Sequence, residues 1–242
     1  LTVVNLREEL APQRIELLGR TLTHKVAATL DRREQVILLM NRRGFASYVF
    51  SPGSGWILTC EHCARPMVYH RATEMAVCHQ CGGTADVPDR DPVGGGKIVL
   101  FGYGIQRIES ELGRKFPDAR VARIDRDTVV RKGALVQMLK GLRDREIDIL
   151  IGTQMVAKGH DFPGITLIGI ICADLSLNFP DFRAGEMTFQ LLAQVAGRAG
   201  RGTAPGKVVL QTYNPDHFAI QAARAQDFMA FYNREIQFRR AR

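Results

Sequence analysis

The stretch ILIGTQMVAKGHDFPGITLIGIICAD, residues 149–174, carries two continuous apolar runs separated by a polar, glycine-containing turn. Neither DILIGT (148–153) nor TLIGIICA (166–173) alternates polar with apolar residues. A strand that is apolar on both faces is covered on both, which is the signature of a parallel sheet between two layers of helices. Working outward, QVILLM (35–40), KIVLFG (97–102), RVARID (120–125) and KVVLQT (207–212) repeat that pattern. Between the runs lie stripes at helical spacing: Ile105, Ile108 and Leu112; Leu135, Met138, Leu139 and Leu142; Met187, Leu191, Leu192 and Val195. Before QVILLM, Ile15, Leu18, Leu22, Val26 and Leu30 predict a helix over 12–33. Strands alternating with helices give an α/β fold, a mostly parallel sheet flanked by helices.

The 242 residues are 45% hydrophobic, enough to bury a substantial core, and no internal repeat is present. Lys and Arg number 33 against 25 Asp and Glu, a net charge of +8, which favours a polyanionic partner such as nucleic acid or else marks a solvated basic surface. No apolar run is long enough to span a membrane, and the LTVVNLREEL start lacks the pattern of a secretion signal, so a soluble, cytoplasmic chain is expected. It opens on Leu1 and stops at QFRRAR with no closing element, as a piece of a longer protein would.

One segment breaks the alternation. Residues 51–96 are rich in Gly, Pro and polar residues, hold four of the five cysteines and carry no helical stripe. The expected organisation is a lobe formed by 1–50 and 97–242, interrupted by a small unit at 51–96. Within it, CEHC (Cys60, Cys63) and CHQC (Cys78, Cys81) form C-x2-C-x14-C-x2-C, the spacing of a zinc ribbon. Each turn aims two thiolates at one point, and two turns close a tetrahedron around one structural Zn²⁺. A unit this small without a core gains its folding energy from the metal, on the order of 10 kcal/mol. Two disulfides are the alternative pairing, and His62, His70 and His79 are alternative ligands. Cys172, inside an apolar run, reads as a core residue.

QVAGRAGRG (194–202) sets Arg198 and Arg201 three apart, with Gln194 one turn earlier and glycines at 197, 200 and 202. Glycine costs helix propensity of about 1 kcal/mol each, and the sequence accepts that cost where something must approach the backbone. Two permanently charged forks there suit the oxygens of a triphosphate; a solvated helix face is the plainer reading. In open α/β sheets ligands sit beyond the carboxyl ends of the strands, which places Thr153, Gln154 and the KGHD turn (Lys158, Gly159, His160, Asp161) near such a site. Asp161 could hold a ribose hydroxyl, a water or an arginine, or cap its own loop; Asp174 ends the next run at the same rim. No G-x-x-x-x-G-K-[ST] phosphate loop occurs: GGGKI (94–98) has Asp91 and Ile98 at the positions that need glycine and a hydroxyl. Arginines without a phosphate cradle imply half of a two-lobed site.

Together GTQMVAKGHDFPGITL, QVAGRAGRG, NRRGF (41–45), RIDRDT (123–128) and the cysteine unit closely resemble the second helicase lobe of the PriA family, bacterial replication restart DNA helicases of superfamily 2. The likeness spans about residues 1–235. The resemblance implies a RecA-like lobe, with ATP and Mg²⁺ clamped against a first lobe that lies outside this chain. It implies that Gln194, Arg198 and Arg201 face the ATP phosphates, with Arg201 the arginine finger. Thr153 and Gln154 would contact the DNA backbone, Gly159 and Asp161 would link that contact to the nucleotide, and Arg42 and Arg43 would add phosphate or DNA contacts. The implied activity is ATP-driven 3′-to-5′ translocation, on single-stranded and forked DNA, in primosome assembly at stalled forks. Its implied partners are primosomal and single-strand-binding proteins. The family commonly carries a second set of four cysteines; at the matching places this chain has Ser51, Ser54, Asp91 and Gly94, a single-zinc version. A non-catalytic DNA-binding or protein-docking module is the alternative, and an RNA helicase of the same superfamily a third reading.

Overall fold

The computed structural model describes residues 1–10, 16–40, 47–101, 105–124, 133–152, 164–179, 181–198 and 206–240, with Phe101, Ala134 and Arg198 described in backbone only. Its main sheet has six strands in the order β1 (Thr2–Asn5), β11 (Lys207–Thr212), β10 (Ile165–Ile170), β2 (Gln35–Leu39), β9 (Ile149–Gly152) and β8 (Val121–Ile124). Every neighbouring pair is parallel. Register aligns Ile124 with Gly152, Gly152 with Leu39, Leu39 with Ile170 and Ile170 with Leu210, so one row of strand ends crosses the sheet.

Side chains alternate between two cores along each strand, as a period of two requires. Ile37, Leu39, Leu150, Ile170, Val208 and Leu210 face one cluster. It is roofed by α4 (Ala134–Arg143), α6 (Ala184–Arg198), α7 (Phe218–Ala225) and α8 (Phe228–Arg240). Val36, Leu38, Ile149, Ile151, Leu167 and Val209 face the other, under α2 (Arg20–Asp31) and α3 (Ile105–Lys115). The expected α/β class and helix-flanked parallel sheet are therefore present. At Gly169 a Cβ would come 2.7 Å from Leu38 Cδ2 and 2.8 Å from Leu22 Cδ1, so the glycine is what lets α2 lie close on the sheet.

Two sequence expectations change, and one strand is added. The helix predicted over 12–33 starts at Arg20, behind Gly19, and residues 11–15 lie outside the described set. Ahead of it the buried Glu111 carboxylate accepts the N–H groups of Leu17 (2.9 Å) and Leu18 (3.1 Å), which satisfies in the approach segment donors that a helix would otherwise use. Thr2–Asn5, too short to stand out as an apolar run, is an edge strand. The run at 97–102 is not in the parallel sheet: β7 (Val99–Phe101) pairs antiparallel with β3 (Ser47–Phe50). Apolar content identified the strand but not the sheet it joins.

That second sheet is antiparallel, ordered β6 (Thr84–Ala85), β5 (Met75–Val77), β4 (Val68–His70), β3, β7. Its root is packed on the lobe by Leu6, Tyr48, Phe50, Val68, Cys172 and Tyr213, with the Phe50 and Tyr213 rings edge to face at 4.7 Å. Arg7, in the short helix α1 (Leu6–Glu9), packs its guanidinium over Gly55, where a Cβ would collide with it.

His217 caps α7, its Nδ1 accepting the Ala219 N–H at 3.2 Å, and burial lowers its pKa to about 4. The folded state therefore favours neutral imidazole. Above the unfolded pKa of about 6.5 the cap contributes fully; as pH falls from there toward the folded value, the unfolded chain binds the extra proton and stability drains away. Stepped-pH denaturation is expected to show that decline. His217→Asn, which keeps a capping acceptor but does not titrate, should flatten it by up to about 1.4 kcal/mol per pH unit.

Candidate metal centre and nucleotide-facing edge

The sulfurs of Cys60, Cys63, Cys78 and Cys81 all lie within 4.8 Å of one another. Cys60 and Cys81 are 3.4 Å apart, Cys63 and Cys78 3.3 Å, and Cys63 and Cys81 3.9 Å. These separations exclude disulfides, which need about 2.05 Å. They surround the value of about 3.8 Å that a tetrahedron of 2.3 Å Zn–S bonds requires. The chemistry of the donors agrees. The N–H groups of Cys63 and His62 pull the Cys60 thiol below its ordinary range. At Cys78 burial, which raises the pKa, is outweighed by the N–H groups of Cys81 and Gln80 and the neighbouring sulfurs, and the thiol comes down to about 7. Cys63, as hydrogen-bond donor to Cys78, is pushed up to about 12. A dication would replace these shared protons. Four thiolates leave no position for water, so the site suits a structural zinc ion. The histidine alternatives do not join: His70 and His79 bond each other, Nε2 to Nε2 at 3.0 Å, and among the described residues only the four cysteines gather at ligating distance. Cys172 is buried in the core that roots the small sheet.

The residues expected to face a nucleotide or DNA are placed unequally. Gln194 is half-buried on α6, four residues before Arg198 and so on the same helix face. Gly197 stays helical, and among the described residues nothing lies within 4 Å of where its Cβ would be, which leaves open space beside the Gln194–Arg198 turn. Asp174 sits one residue past Ala173 and is 4% exposed. Its Oδ2 accepts the Tyr213 N–H at 2.9 Å and the Cys172 thiol at 3.4 Å. Burial raises the Asp174 pKa against those bonds. The carboxylate thus ties the end of β10 to the end of β11 from inside. Thr153, Gln154, Gly159, Asp161, Arg42, Arg43 and Arg201, and the Arg198 side chain, lie outside the described residues. Gly152 and Met40, which immediately precede two of those groups, belong to the row of strand ends: the Met40 N–H donates to the Gly152 carbonyl at 2.9 Å.

Sequence reasoning missed the buried polar struts. Gln211 accepts the Gly19 N–H at 2.7 Å and donates to the Leu17 and Ile171 carbonyls at 2.9 and 2.7 Å. An amide inside an apolar strand was the signal available. No helix among the described residues is long and apolar enough to cross a membrane.

Comparison with known proteins agrees with this geometry. The family model for the helicase conserved C-terminal domain matches residues 91–203, and that for the PriA DNA helicase Cys-rich region matches residues 60–85. Replication restart protein PriA of Bacillus subtilis is 44% identical over 241 residues, which are 99% of this chain and 30% of that protein. The protein of the same name from Haemophilus influenzae is 42% identical over 223 residues, 92% of this chain and 30% of the relative. That of Rickettsia conorii is 40% identical over 226 residues, 93% of this chain and 35% of the relative. The chain therefore spans about a third of the length of these relatives. The chain thus matches both the helicase conserved C-terminal domain and the PriA Cys-rich region, and over nearly its whole length it is similar to replication restart proteins PriA.

Proposed function

We propose that this chain is the second motor lobe of an ATP-dependent 3′-to-5′ DNA helicase that reloads the replication machinery at stalled forks. ATP and Mg²⁺ sit between it and a first lobe that carries the phosphate loop. Gln194, Arg198 and Arg201 face the triphosphate, with Arg201 as the finger that meets charge developing on the γ-phosphate. Gly159 and Asp161 line the nucleotide side, and Asp174 shapes that rim from within. Thr153, Gln154, Arg42 and Arg43 hold single-stranded or forked DNA. We assign 51–96 to an insertion whose sheet also takes in the flanking strands β3 and β7, and the rest of 1–50 and 97–242 to the lobe; the insertion meets the fork and primosomal or single-strand-binding proteins, in the cytoplasm. On this reading the chain alone neither hydrolyses ATP nor moves.

The observation that carries the proposal is the joint match of helicase domain and cysteine-rich region on one chain whose strand ends form a single row. The test is strand displacement from a forked duplex by the full-length protein, with and without ATP. Displacement that requires ATP is expected. DNA binding with no displacement would leave the chain a docking module.

A further inference from the structure

Large apolar side chains left exposed on the described residues are not scattered. Of eight, five gather at one place: Phe228, Met229, Tyr232 and Phe238 on α8, and Phe182, which lies under the Arg239 guanidinium at 5.3 Å from the ring centroid. Their exposure runs from 48% at Tyr232 to 63% at Phe182. Phe228, Tyr232 and the half-buried Ile236 follow one another at a spacing of four, which makes one ridge running about 12 Å along the helix. Met229 borders it, and the Phe228 and Tyr232 rings stand 6.3 Å apart with their planes 22° from parallel. Single exposed apolar residues need no partner, whereas a contiguous patch of Phe, Tyr and Met beside arginines has the make-up of an interface core.

The helix that carries the ridge is held at both ends. On its inner side the Phe231 ring stacks on Phe189 of α6, with centroids 4.2 Å apart and planes at 9°, and on Phe218 of α7 at 5.8 Å. Toward its last turn Arg239 donates to Glu186 of α6 at 2.7 Å and to Glu235 at 2.8 Å. Glu235 fits against α6 because position 185 is glycine: a Cβ there would come 3.1 Å from Glu235 Oε2. A rigid helix gives up little entropy when something docks on it. The rim of the ridge is cationic. Arg234 and Arg240 are exposed on α8, and Arg224 is exposed in the last turn of α7. The nearby acids are engaged, Glu186 and Glu235 by Arg239, and Asp227 by the Ala230 N–H at 2.8 Å.

We propose that the ridge of α8 seats an acidic amphipathic helix from the part of the full-length protein that lies outside residues 1–242. A row of side chains four apart packs into the groove of another helix. The cationic rim calls for carboxylates flanking that helix's apolar stripe, and a second copy of this chain would instead bring the same arginines face to face. The chain spans about a third of the length of its relatives, so most of such a protein lies elsewhere. A helix of the same polypeptide is present at an effective concentration on the order of millimolar, whereas a ridge left bare until a separate partner arrives invites aggregation. Through Phe231 and Arg239 the docked helix would be joined to α6, whether or not α6 faces a nucleotide.

The experiment uses the full-length protein carrying the photo-cross-linker benzoylphenylalanine in place of Tyr232, irradiated with single-stranded DNA present and mapped by mass spectrometry. Cross-links within one chain to a single acidic helical segment outside 1–242 are expected. Cross-links to a second copy, found by mixing isotope-labelled and unlabelled chains, or to the DNA, or to no protein segment at all, would overturn the proposal. Phe228→Glu/Tyr232→Glu supplies the second arm, read by hydrogen exchange. It sets carboxylates against carboxylates at exposed positions and leaves the buried Phe231 alone. The cross-linked segment should lose protection by tenfold or more while peptides of α6 keep theirs; wild-type protection in that segment would show that the ridge does not hold it.

Discussion

Replacing Arg201 by alanine in the full-length protein is expected to lower DNA-stimulated ATP turnover by about 10³ while ATP affinity stays within a few fold. The asymmetry follows from what a finger does. The phosphoryl group carries its extra equatorial charge only in the transition state, so a guanidinium aimed at it stabilises that state more than the bound ground state. Arg201→Lys should recover little, because an ammonium offers a point charge where the fork offers two parallel donors. Steady-state kinetics distinguishes the cases: a fall in kcat with KM nearly constant supports the role, and unchanged hydrolysis removes it. Arg198→Ala, one helical turn from Gln194, should raise KM as well, since it is proposed to hold the triphosphate before the chemistry begins.

Removing the metal is the second large perturbation. Cys78→Ser, or exhaustive chelation, is expected to unfold the two cysteine turns while the lobe survives. The ion contributes on the order of 10 kcal/mol to a unit of this kind. The cluster beneath the cysteine turns is small, Val49, Cys60, Met67, Ala76 and Cys78, and two of its five buried members are ligands. Neither large core of the lobe contains any residue between 47 and 101. Hydrogen exchange should therefore show peptides from 58–85 losing protection and those covering β2, β9 and β10 keeping it. Full protection at 58–85 after the metal has gone would mean that packing alone closes the turns.

The sequence was most informative where one physical cause acts alone. Continuous apolar runs disclosed the parallel strands at 35–39, 149–152, 165–170 and 207–212, because burial on both faces leaves no room for alternation. Paired cysteines disclosed the metal centre, because thiolates at that spacing have few other uses. It was least informative where partners come from far along the chain. Glu111 anchors Leu17 and Leu18 from 94 and 93 residues away, and Gln211 reaches Leu17 across 194, so nothing local marks where α2 begins. Of the residues proposed to face the nucleotide, Gln194 and Asp174 are placed by the fold, and the arginines rest on their motif alone.

The edge-to-face pair of Phe50 and Tyr213 joins the two sheets at one spot, and the Tyr213 N–H is held in turn by Asp174 at the rim. Aromatic packing of this kind yields little to compression, so a displacement of the rim is passed on instead of absorbed. A rotation of the lobe would therefore carry the small sheet with it like the boom of a crane, its far end travelling a longer path than its root.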